Sequence, residues 1–304
     1  MTAAPRGRGP ALITLAALAL AWGTNWPFMK LAFAELPVWG LRAWSCLIAG
    51  CIIMAIARLR GARLWTRDPA EWRFLCIAAF FNVTIWQVTT GYGVRFLGSG
   101  HAAILAFTMP LWSGLIAFTF LGERPTLRFA VALAMGMGGV ALLSMRGGGF
   151  AWSELPGIAF MFAAAIGWAI GTLYSKRHAP TLSRLAMTAW QMLLGALPIL
   201  AIWPLMEPVA WPHASWSAWM GASFTTFIAL VVGYIAWFRL VELLPAHIAS
   251  LASLAAPVVA MLTGAAMLRE ALGLRELVAL GLMVGALALV LIVPARPAPA
   301  RATG

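Results

Sequence analysis

The feature that most constrains this chain is a series of long apolar runs separated by short polar gaps. A helix needs about 20 apolar residues to cross a hydrocarbon core of roughly 30 Å. Ten runs approach that length, at residues 11–29, 38–57, 74–94, 101–121, 128–145, 155–175, 185–205, 217–238, 247–268 and 275–293. They are too long and continuous for barrel strands, and helices satisfy their own backbone groups in lipid. The pattern predicts an all-α integral membrane protein with ten transmembrane helices.

The number and placement of the charged residues support a membrane protein and argue against a nucleic-acid binder. Only 10% of the 304 residues are charged, against roughly 25% in a soluble domain. The net charge is +12, but the basic residues lie in the gaps rather than on one polar face, which argues against a nucleic-acid binder. One set of gaps, with both termini, holds fifteen Lys and Arg, and the other set holds five. Since cytoplasmic loops are the richer in Lys and Arg, we expect a bacterial inner-membrane protein with both termini in the cytoplasm.

The two halves of the chain resemble each other. Shifting the sequence by 146 residues places Trp22 on Trp168 and His101 on His247. Further matches, some with one residue of slippage, are Lys30 with Lys176, Trp44 with Trp190, Pro110 with Pro257, Glu123 with Glu270 and Gly138 with Gly285. Such an ordered set indicates an internal duplication. Five runs per copy is an odd number, so we predict two inverted five-helix repeats around a central cavity, an architecture associated with secondary transporters.

This duplication divides the chain into four predicted parts. Residues 1–10 form a cytoplasmic N-terminal segment, 11–146 the first five-helix repeat, 154–293 the second repeat, and 294–304 a cytoplasmic disordered tail. Arg6 and Arg8 before an apolar run imitate a secretory signal peptide. Because the run continues past Phe28 and its far end is repeated later, we expect it to be kept as the first span.

Two helix faces rich in tryptophan and polar residues are candidates for the cavity wall. In the first run, Trp22, Asn25 and Trp26 have the spacing i, i+3, i+4 and share one face. The matching run of the second copy carries Trp168 and Thr172 on the equivalent face. We expect these faces to bind a small-molecule substrate. The alternative is that the tryptophans pack in the bundle and that Asn25 forms a hydrogen bond with a neighbouring helix.

The third and eighth runs contribute further candidates, namely Asn82, Trp86, Thr89, Tyr92, Tyr234 and Trp237. Asn82, Trp86 and Thr89 fall on one face of the third run. Polar groups facing lipid would cost free energy, so these side chains must face protein or a water-filled path. Lining a path and hydrogen bonding within the bundle are both open alternatives.

His101 and His247 open matched runs and are the histidines nearest to membrane depth. Imidazole titrates near neutral pH, so a role in proton coupling is one hypothesis. The alternative is structural, because both histidines lie near the ends of their runs, where an interfacial side chain is solvated.

Three prolines are candidate hinges: Pro27, Pro110 and Pro257. We expect Pro110 and Pro257 to break their helices at matched depths and to bend them rather than to contact a ligand. Small residues four apart, Gly281 with Gly285 and Ala134 with Gly138, suit close helix packing within each half or a homodimer seam.

Every Asp and Glu lies in a gap or at the end of a run, where Glu276 is the second residue of the last run. This placement argues against cationic drugs as preferred cargo and against a carboxylate proton relay. Arg42, near the outer end of the second run, is expected to extend towards the surface, which leaves the candidate walls without formal charge. Cys46, Cys51 and Cys76 lack metal-ligand spacing and are expected to pack in the core. We therefore expect neither a metal nor a cofactor.

Four segments together resemble the drug/metabolite transporter superfamily, specifically its ten-helix EamA-type exporters. They are WGTNWPFMK (22–30), LPVWGLRAW (36–44), LAFTMPLWSGLIAFTFLGER (105–124) and LASLAAPVVAMLTGAAMLRE (251–270). The likeness extends over residues 11–293, and its proline-to-glutamate spacing recurs in both halves. It implies two five-helix bundles around a central cavity, export from the cytoplasm and alternating access.

The candidate wall residues favour a particular cargo. A tryptophan-rich surface with amides and hydroxyls suits a neutral or zwitterionic molecule with an apolar or aromatic side chain. The expected function is similar to that of bacterial amino-acid exporters, with aromatic and hydrophobic amino acids as cargo. Alternatives are a broad-specificity drug or metabolite exporter and a transporter of lipid-linked or nucleotide sugars. A channel is a weaker alternative. An intramembrane enzyme is also weaker, because no acid partner within a span and no metal-ligand cluster accompanies Ser99 and His101.

Overall fold

The computed structural model describes residues 8–121, 126–146, 149–175, 181–209, 213–237 and 251–291. The first half, up to residue 146, is built from seven α-helices. They are α1 (Arg8–Glu35), α2 (Val38–Leu59), α3 (Pro69–Ala79), α4 (Trp86–Phe96), α5 (Ser99–Ala106), α6 (Met109–Leu121) and α7 (Leu127–Ser144). Two of them begin with a side-chain cap: Asp68 caps α3 with Pro69 in its first turn, and Thr126 caps α7.

The second half, from residue 154, repeats the pattern as far as it is described. Its helices are α8 (Leu155–Ser175), α9 (Arg184–Met206), α10 (Trp216–Ser223), α11 (Leu251–Leu268) and α12 (Leu274–Leu291). Ser183 and Ser215 cap α9 and α10 through their hydroxyl oxygens. The strands among the described residues are Met145–Arg146 and Gly149–Phe150, one short antiparallel pair where the halves join.

Two wide helical turns interrupt otherwise regular helices. A π-helix at Phe80–Ile85 links α3 to α4, and a second at Phe224–Val232 follows α10. A π-helix changes the backbone hydrogen-bond ladder and often occurs at functional sites. Shifted by 146 residues, the first π segment falls within the second. The two therefore occupy corresponding positions in the predicted repeats.

Seven helices in the described part of the chain are long and apolar enough to cross a membrane. They are Val38–Leu59, Pro69–Phe96, Ser99–Phe120, Leu127–Ser144, Trp152–Ser175, Arg184–Met206 and Trp216–Trp237. The apolar helix Ala255–Leu268 is shorter. α1, with 28 residues, is also long enough to cross a membrane. The protein is a multi-pass membrane protein, while its ten-helix count and its inverted repeat remain predictions.

The helices of the two halves interleave instead of forming separate bundles. α2 packs on α9, α7 packs on α12, and α5 packs on α11. α1 crosses α10 and α11 of the second half, and α8 crosses α4 and α5 of the first. Several of these contacts correspond when the halves are exchanged: α1 on α11 matches α8 on α5 and α6, and α2 on the second π segment matches α9 on the first.

Four carboxylates connect the halves by accepting hydrogen bonds at helix starts in the opposite half; we call Glu35, Glu71, Glu207 and Glu270 the cross-half carboxylates. The carboxylate of Glu207 accepts from the amide of Trp39 at 2.8 Å, and that of Glu71 from the amide of Thr181 at 2.8 Å. Glu270 accepts from the amide of Ser99. Free amides at a helix start attract negative charge, so each contact replaces water at an otherwise unsatisfied terminus.

Glu35 is the most exposed of the cross-half carboxylates. Its side chain accepts from the hydroxyl and, at 2.7 Å, from the amide of Ser215 at the start of α10. These hydrogen bonds lower the pKa of Glu35 because they favour the ionised carboxylate. The acidic residues thus remain outside the apolar runs because they satisfy helix starts.

The structure corrects four expectations. The first helix continues beyond residue 29 to Glu35, because the side chains of Lys30 and Glu35 find partners on α4 and α10. Pro257 lies inside continuous α11, whereas the predicted break near Pro110 lies between α5 and α6. Membrane helices tolerate proline where neighbours satisfy the freed carbonyl.

The remaining two corrections concern small residues. Cys46 is buried as expected, but Cys51 and Cys76 are exposed on helix faces that point away from the bundle. Gly285 faces Met135 of α7, so the close packing joins the halves instead of lying within one. A Cβ added at Gly138 or Gly281 would meet no atom within 4 Å, so these two glycines lie on an open surface.

Candidate functional site

A cavity of about 100 Å³ lies among helices of both halves, and we call it the central cavity. Six of the residues predicted to line a cavity form part of its wall: Trp22, Asn25, Trp26, Trp86, Trp168 and Tyr234. They come from α1, α4, α8 and the helical turn after the second π segment. Residues far apart in sequence therefore converge on one site, with both predicted repeats represented.

Aromatic contacts hold this wall together across the halves. The rings of Trp86 and Trp168 lie 4.8 Å apart with an angle of 56° between their planes. Trp22 contacts Tyr234 edge-on at 6.1 Å, and its indole nitrogen donates to the carbonyl of Ala229 at 3.1 Å. Ala229 lies within the second π segment, where the altered ladder makes a carbonyl available to a side chain. The wide turn thus orients a tryptophan of the cavity.

The wall also contains residues that sequence reasoning did not assign to it. They are Arg42, Gln87, Thr90, Phe107, Met109, Ala229 and Leu230. Met29 also lines the cavity, and its spacing places it on the same face of α1 as Trp22, Asn25 and Trp26. Phe107 lies at the break between α5 and α6, and its ring is 6.5 Å from that of Trp26. Pro110 predicted a break in this run, but not that Phe107 lines the cavity.

Arg42 contradicts the expectation that it extends to the surface. Its exposed fraction is 2%, and it lies against the cavity. The guanidinium donates through Nη2 to the hydroxyl of Thr90 at 3.1 Å and lies 4.9 Å from the ring centre of Phe33. It is buried because α1 extends to Glu35, so that Phe33 covers the second turn of α2. The candidate wall therefore carries a formal positive charge.

One sulfur atom joins Arg42 to Asn25. The amide nitrogen of Asn25 donates to Sδ of Met29 at 3.0 Å, and Arg42 Nη2 approaches the same sulfur at 3.5 Å. Two polar atoms of this group, Asn25 Oδ1 and Arg42 Nε, are buried and have no hydrogen-bond partner among the described residues. The cavity wall thus presents one acceptor and one cationic donor.

Five other predicted residues lie off this wall. Thr89 donates to the carbonyl of Ile85 within its own helix, and Tyr92 donates to Glu207 at 3.2 Å. Asn82 faces Gly171, Trp237 contacts the ring of Trp22 at 5.8 Å, and Thr172 lies half-buried on α8. Thr89 thus bonds within its own helix, Asn82 Oδ1 has no hydrogen-bond partner among the described residues, and Trp237 supports the wall from behind. His247 lies outside the described residues.

His101 lines a second and larger pocket at the end of the bundle where α1 finishes; we call it the far-end pocket. Its volume is about 720 Å³, and charged residues surround it: Lys30, Glu154, Arg269, Glu270, Arg275 and Glu276. His101 Nε2 lies 4.0 Å from Glu276 Oε1, which also accepts from Arg275 at 2.7 Å. Lys30 donates to the carbonyl of Leu97 and lies 3.9 Å from Glu270. The histidine therefore lies in an ionic network away from the tryptophans.

Comparison with protein families gives a match over nearly the whole chain. The model of the EamA-like transporter family matches twice, at residues 9–145 and 155–292. The two matched segments lie on either side of the short strand pair. Both copies therefore carry the pattern of one family, in agreement with a duplication.

Individual relatives match along their full length. The uncharacterized transporter YvbV of Bacillus subtilis is 27% identical, with 91% of this chain and 90% of YvbV aligned. The uncharacterized inner membrane transporter YedA of Escherichia coli is 25% identical over 95% of this chain and 94% of its own. A solved structure, described as "Crystal structure of protein", has 22% identity and a TM-score of 0.65, covering 93% of this chain and 96% of its own. That last likeness concerns the fold alone.

Proposed function

Since the chain belongs to the EamA-like transporter family, whose model matches residues 9–145 and 155–292, we propose that this membrane transporter exports small zwitterionic or neutral metabolites from the cytoplasm. Aromatic and hydrophobic amino acids are the proposed preferred cargo, and alternating access is the proposed mechanism. The family and its relatives supply the general activity. The proposed cargo comes from the residues of the central cavity, and the proposed direction is what the resemblance to EamA-type exporters implies.

The observation that carries the proposal is the aromatic wall of the central cavity. Trp22, Trp86 and Trp168 contribute indole rings from both halves to one small space. An indole ring contributes a large apolar contact area and prefers aromatic partners in offset or edge-on arrangements. An aromatic side chain of the cargo is such a partner. Burial of apolar surface is favourable by about 25 cal/mol per Å², so a hydrophobic side chain of the cargo is stabilised when it enters the cavity.

The size of the cavity supports alternating access. Its volume of about 100 Å³ is below the roughly 300–1,000 Å³ of pockets that hold drug-sized ligands. An amino acid such as phenylalanine therefore requires a wider state. The far-end pocket, about 720 Å³, lies at one end only of the described bundle. We infer that the central cavity is closed in this conformation and widens when the helices of the two halves move.

The arrangement of helices supports the inverted repeat on which this mechanism rests. Several helix contacts correspond when the halves are exchanged, and the π segments Phe80–Ile85 and Phe224–Val232 occupy matched positions. Secondary transporters with inverted repeats bind substrate between the repeats, as the cavity here lies between the halves. The unequal Lys and Arg content of the gaps supports a cytoplasmic location for both termini.

Transport by purified protein tests the proposal. The protein is reconstituted in liposomes loaded with single labelled amino acids, and efflux is followed with and without a pH gradient and with unlabelled amino acid outside. We expect saturable efflux of phenylalanine, leucine and related amino acids, accelerated by external amino acid because a carrier returns faster when loaded. Protein-free liposomes and a Trp216→Ala protein, altered at a side chain 82% exposed at the start of α10, are the controls.

Other outcomes separate the alternatives. Efflux without saturation or acceleration would indicate a channel. Strong inhibition by unrelated lipophilic cations would favour a broad-specificity exporter. If no amino acid moves under any gradient, the cargo assignment is wrong although the family assignment stands. Dependence on the pH gradient that His101→Gln removes would support proton coupling, and dependence that persists in that variant would refute the role of His101.

A further inference from the structure

Arg42 is a buried cation without an acidic partner among the described residues. Its side chain is 2% exposed and lines the central cavity, yet no described carboxylate lies within 4.0 Å of its guanidinium. The described acidic residues lie at helix termini or in the gaps, and the cross-half carboxylates accept hydrogen bonds from helix-start amides. The positive charge therefore lacks an internal counter-charge in this part of the fold.

The neutral groups around Arg42 compensate its burial only in part. The Thr90 hydroxyl accepts one hydrogen bond, but the same hydroxyl donates to the carbonyl of Trp86 at 2.7 Å. Met29 supplies a weakly accepting sulfur and Phe33 the face of a ring. Moving a charge out of water costs several kcal/mol unless it is paired, so a purely structural Arg42 would be expensive. An anion in the cavity would supply the missing partner.

The second unsatisfied atom of the wall, Asn25 Oδ1, requires a hydrogen-bond donor instead of an anion. Oδ1 of Asn25 is buried and accepts no hydrogen bond from a described residue, while the other atom of that amide group donates to Met29 Sδ. An amide oxygen accepts from an ammonium but not from a carboxylate. Because Arg42 Nη2 approaches the same sulfur, the cationic donor and the free acceptor lie close together on the wall.

We propose that Arg42 binds the carboxylate of the cargo and that Asn25 Oδ1 accepts from its ammonium group. This inference rests on the proposed function and narrows the cargo to molecules with a carboxylate next to an ammonium. The side chain of the cargo then lies against Trp86 and Trp168. A guanidinium–carboxylate pair is stronger than a neutral hydrogen bond and selects the planar carboxylate. The positive charge of Arg42 thus recognises the carboxylate of the cargo, and cationic amines without a carboxylate are excluded from the cavity.

The test compares four ligands that share one side chain. L-Phenylalanine has both charged groups, L-phenylalaninamide and phenethylamine lack the carboxylate, and 3-phenylpropionate lacks the ammonium. Their dissociation constants are measured by calorimetry with the wild-type protein in lipid nanodiscs, and the corresponding leucine series is run in parallel. We expect the two compounds without a carboxylate to bind about 10- to 100-fold more weakly than phenylalanine, as for the loss of a hydrogen bond to a charged group.

Variants assign this preference to Arg42. In Arg42→Gln the affinity for phenylalanine falls about 10- to 100-fold, while the affinity for phenylalaninamide changes less than about threefold. Arg42→Lys keeps the charge and retains part of the affinity for carboxylates. Arg60→Gln, which removes an exposed arginine at the end of α2, leaves all four dissociation constants unchanged. The comparison of ligands with wild-type protein needs no variant, so it decides the matter even if Arg42→Gln fails to fold.

The outcomes distinguish this inference from the function on which it rests. If the transporter moves amino acids but binds phenylalaninamide as tightly as phenylalanine, the role of Arg42 is wrong and the proposed function stands. An equal loss of all four ligands in Arg42→Gln would show that Arg42 only supports the fold. If amino acids are not bound but 3-phenylpropionate binds and depends on Arg42, the amino-acid assignment is wrong and the carboxylate site stands. Binding of none of these compounds refutes both.

Discussion

The ring of Trp86 lies 4.8 Å from the ring of Trp168, and this contact joins the two halves at the wall of the central cavity. Neither tryptophan is fully buried, so each presents part of its ring to the cavity. Such a pair serves two purposes, because it holds α4 against α8 and offers an apolar surface to cargo.

Replacing Trp168 by alanine is expected to weaken cargo binding. The variant loses apolar contact area, and we expect KM for phenylalanine efflux from liposomes to rise by about 10-fold, since truncating a large aromatic contact costs ~1–3 kcal/mol. Trp168→Phe keeps an aromatic ring, so its KM is expected to lie between those of the wild type and Trp168→Ala. The matched control is Trp216→Ala, which removes an exposed tryptophan from the same half. Equal kinetics in Trp168→Ala and wild type would remove this ring from the site.

Labelling of single cysteines tests the inverted repeat directly. The three native cysteines are replaced by alanine, and cysteine is introduced at Ala62 or at Pro208, two loop positions exactly 146 residues apart. A membrane-impermeant thiol reagent applied to intact cells is expected to label Pro208→Cys and to label Ala62→Cys only after lysis. Labelling of both from the same side would refute the inverted arrangement. The total label after lysis controls for expression.

Gly221 is expected to be necessary for the close packing of α10 on α1. A Cβ at this position would lie 2.3 Å from the backbone carbonyl oxygen of Phe28, so Gly221→Ala must push the helices apart. We expect a loss of about 1–3 kcal/mol, seen as a lower melting temperature in detergent. In Gly138→Ala, the added methyl meets no atom within 4 Å, and stability should be unchanged or higher. The opposite order of melting temperatures would contradict the helix contact.

Glu207 is expected to stabilise the start of α2. Its carboxylate accepts from the amides of Val38 and Trp39 at 3.0 and 2.8 Å and from the hydroxyl of Tyr92. Glu207→Ala leaves these partners without an acceptor, and we expect a loss of about 1–3 kcal/mol in thermal unfolding. Glu207→Gln keeps one accepting oxygen and is expected to lose less. If both variants melt like the wild type, water replaces the carboxylate at this helix start.

Much of the cavity wall could be predicted from the sequence because helical periodicity is local. Trp22, Asn25 and Trp26 follow from spacing alone, and the match at 146 residues adds Trp168. Hydropathy also identified the seven spans found among the described residues, and α1 continues past the predicted end at residue 29 to Glu35. Lys30 and Glu35 interrupt the apolar run there, and the contacts that keep the helix intact are tertiary.

The residues that escaped prediction are those whose setting depends on distant segments. Arg42 near the end of an apolar run is typical of a side chain that extends into water, and only Phe33 and Thr90 bury it. Asn82 shares a face with Trp86 in sequence, but the π segment changes the rotation of the helix between them. A π turn has no clear local signal, so Asn82 faces Gly171 instead of the cavity.

The cross-half carboxylates have a consequence for how the protein folds during its synthesis. A ribosome that has finished only the first half has exposed the helix starts of α2 and α5, whose acceptors Glu207 and Glu270 are not yet synthesised. Glu35 and Glu71 likewise await amides of α10 and α9. The first half therefore cannot satisfy the starts of α2 and α5 with these carboxylates until the second half has been made and inserted.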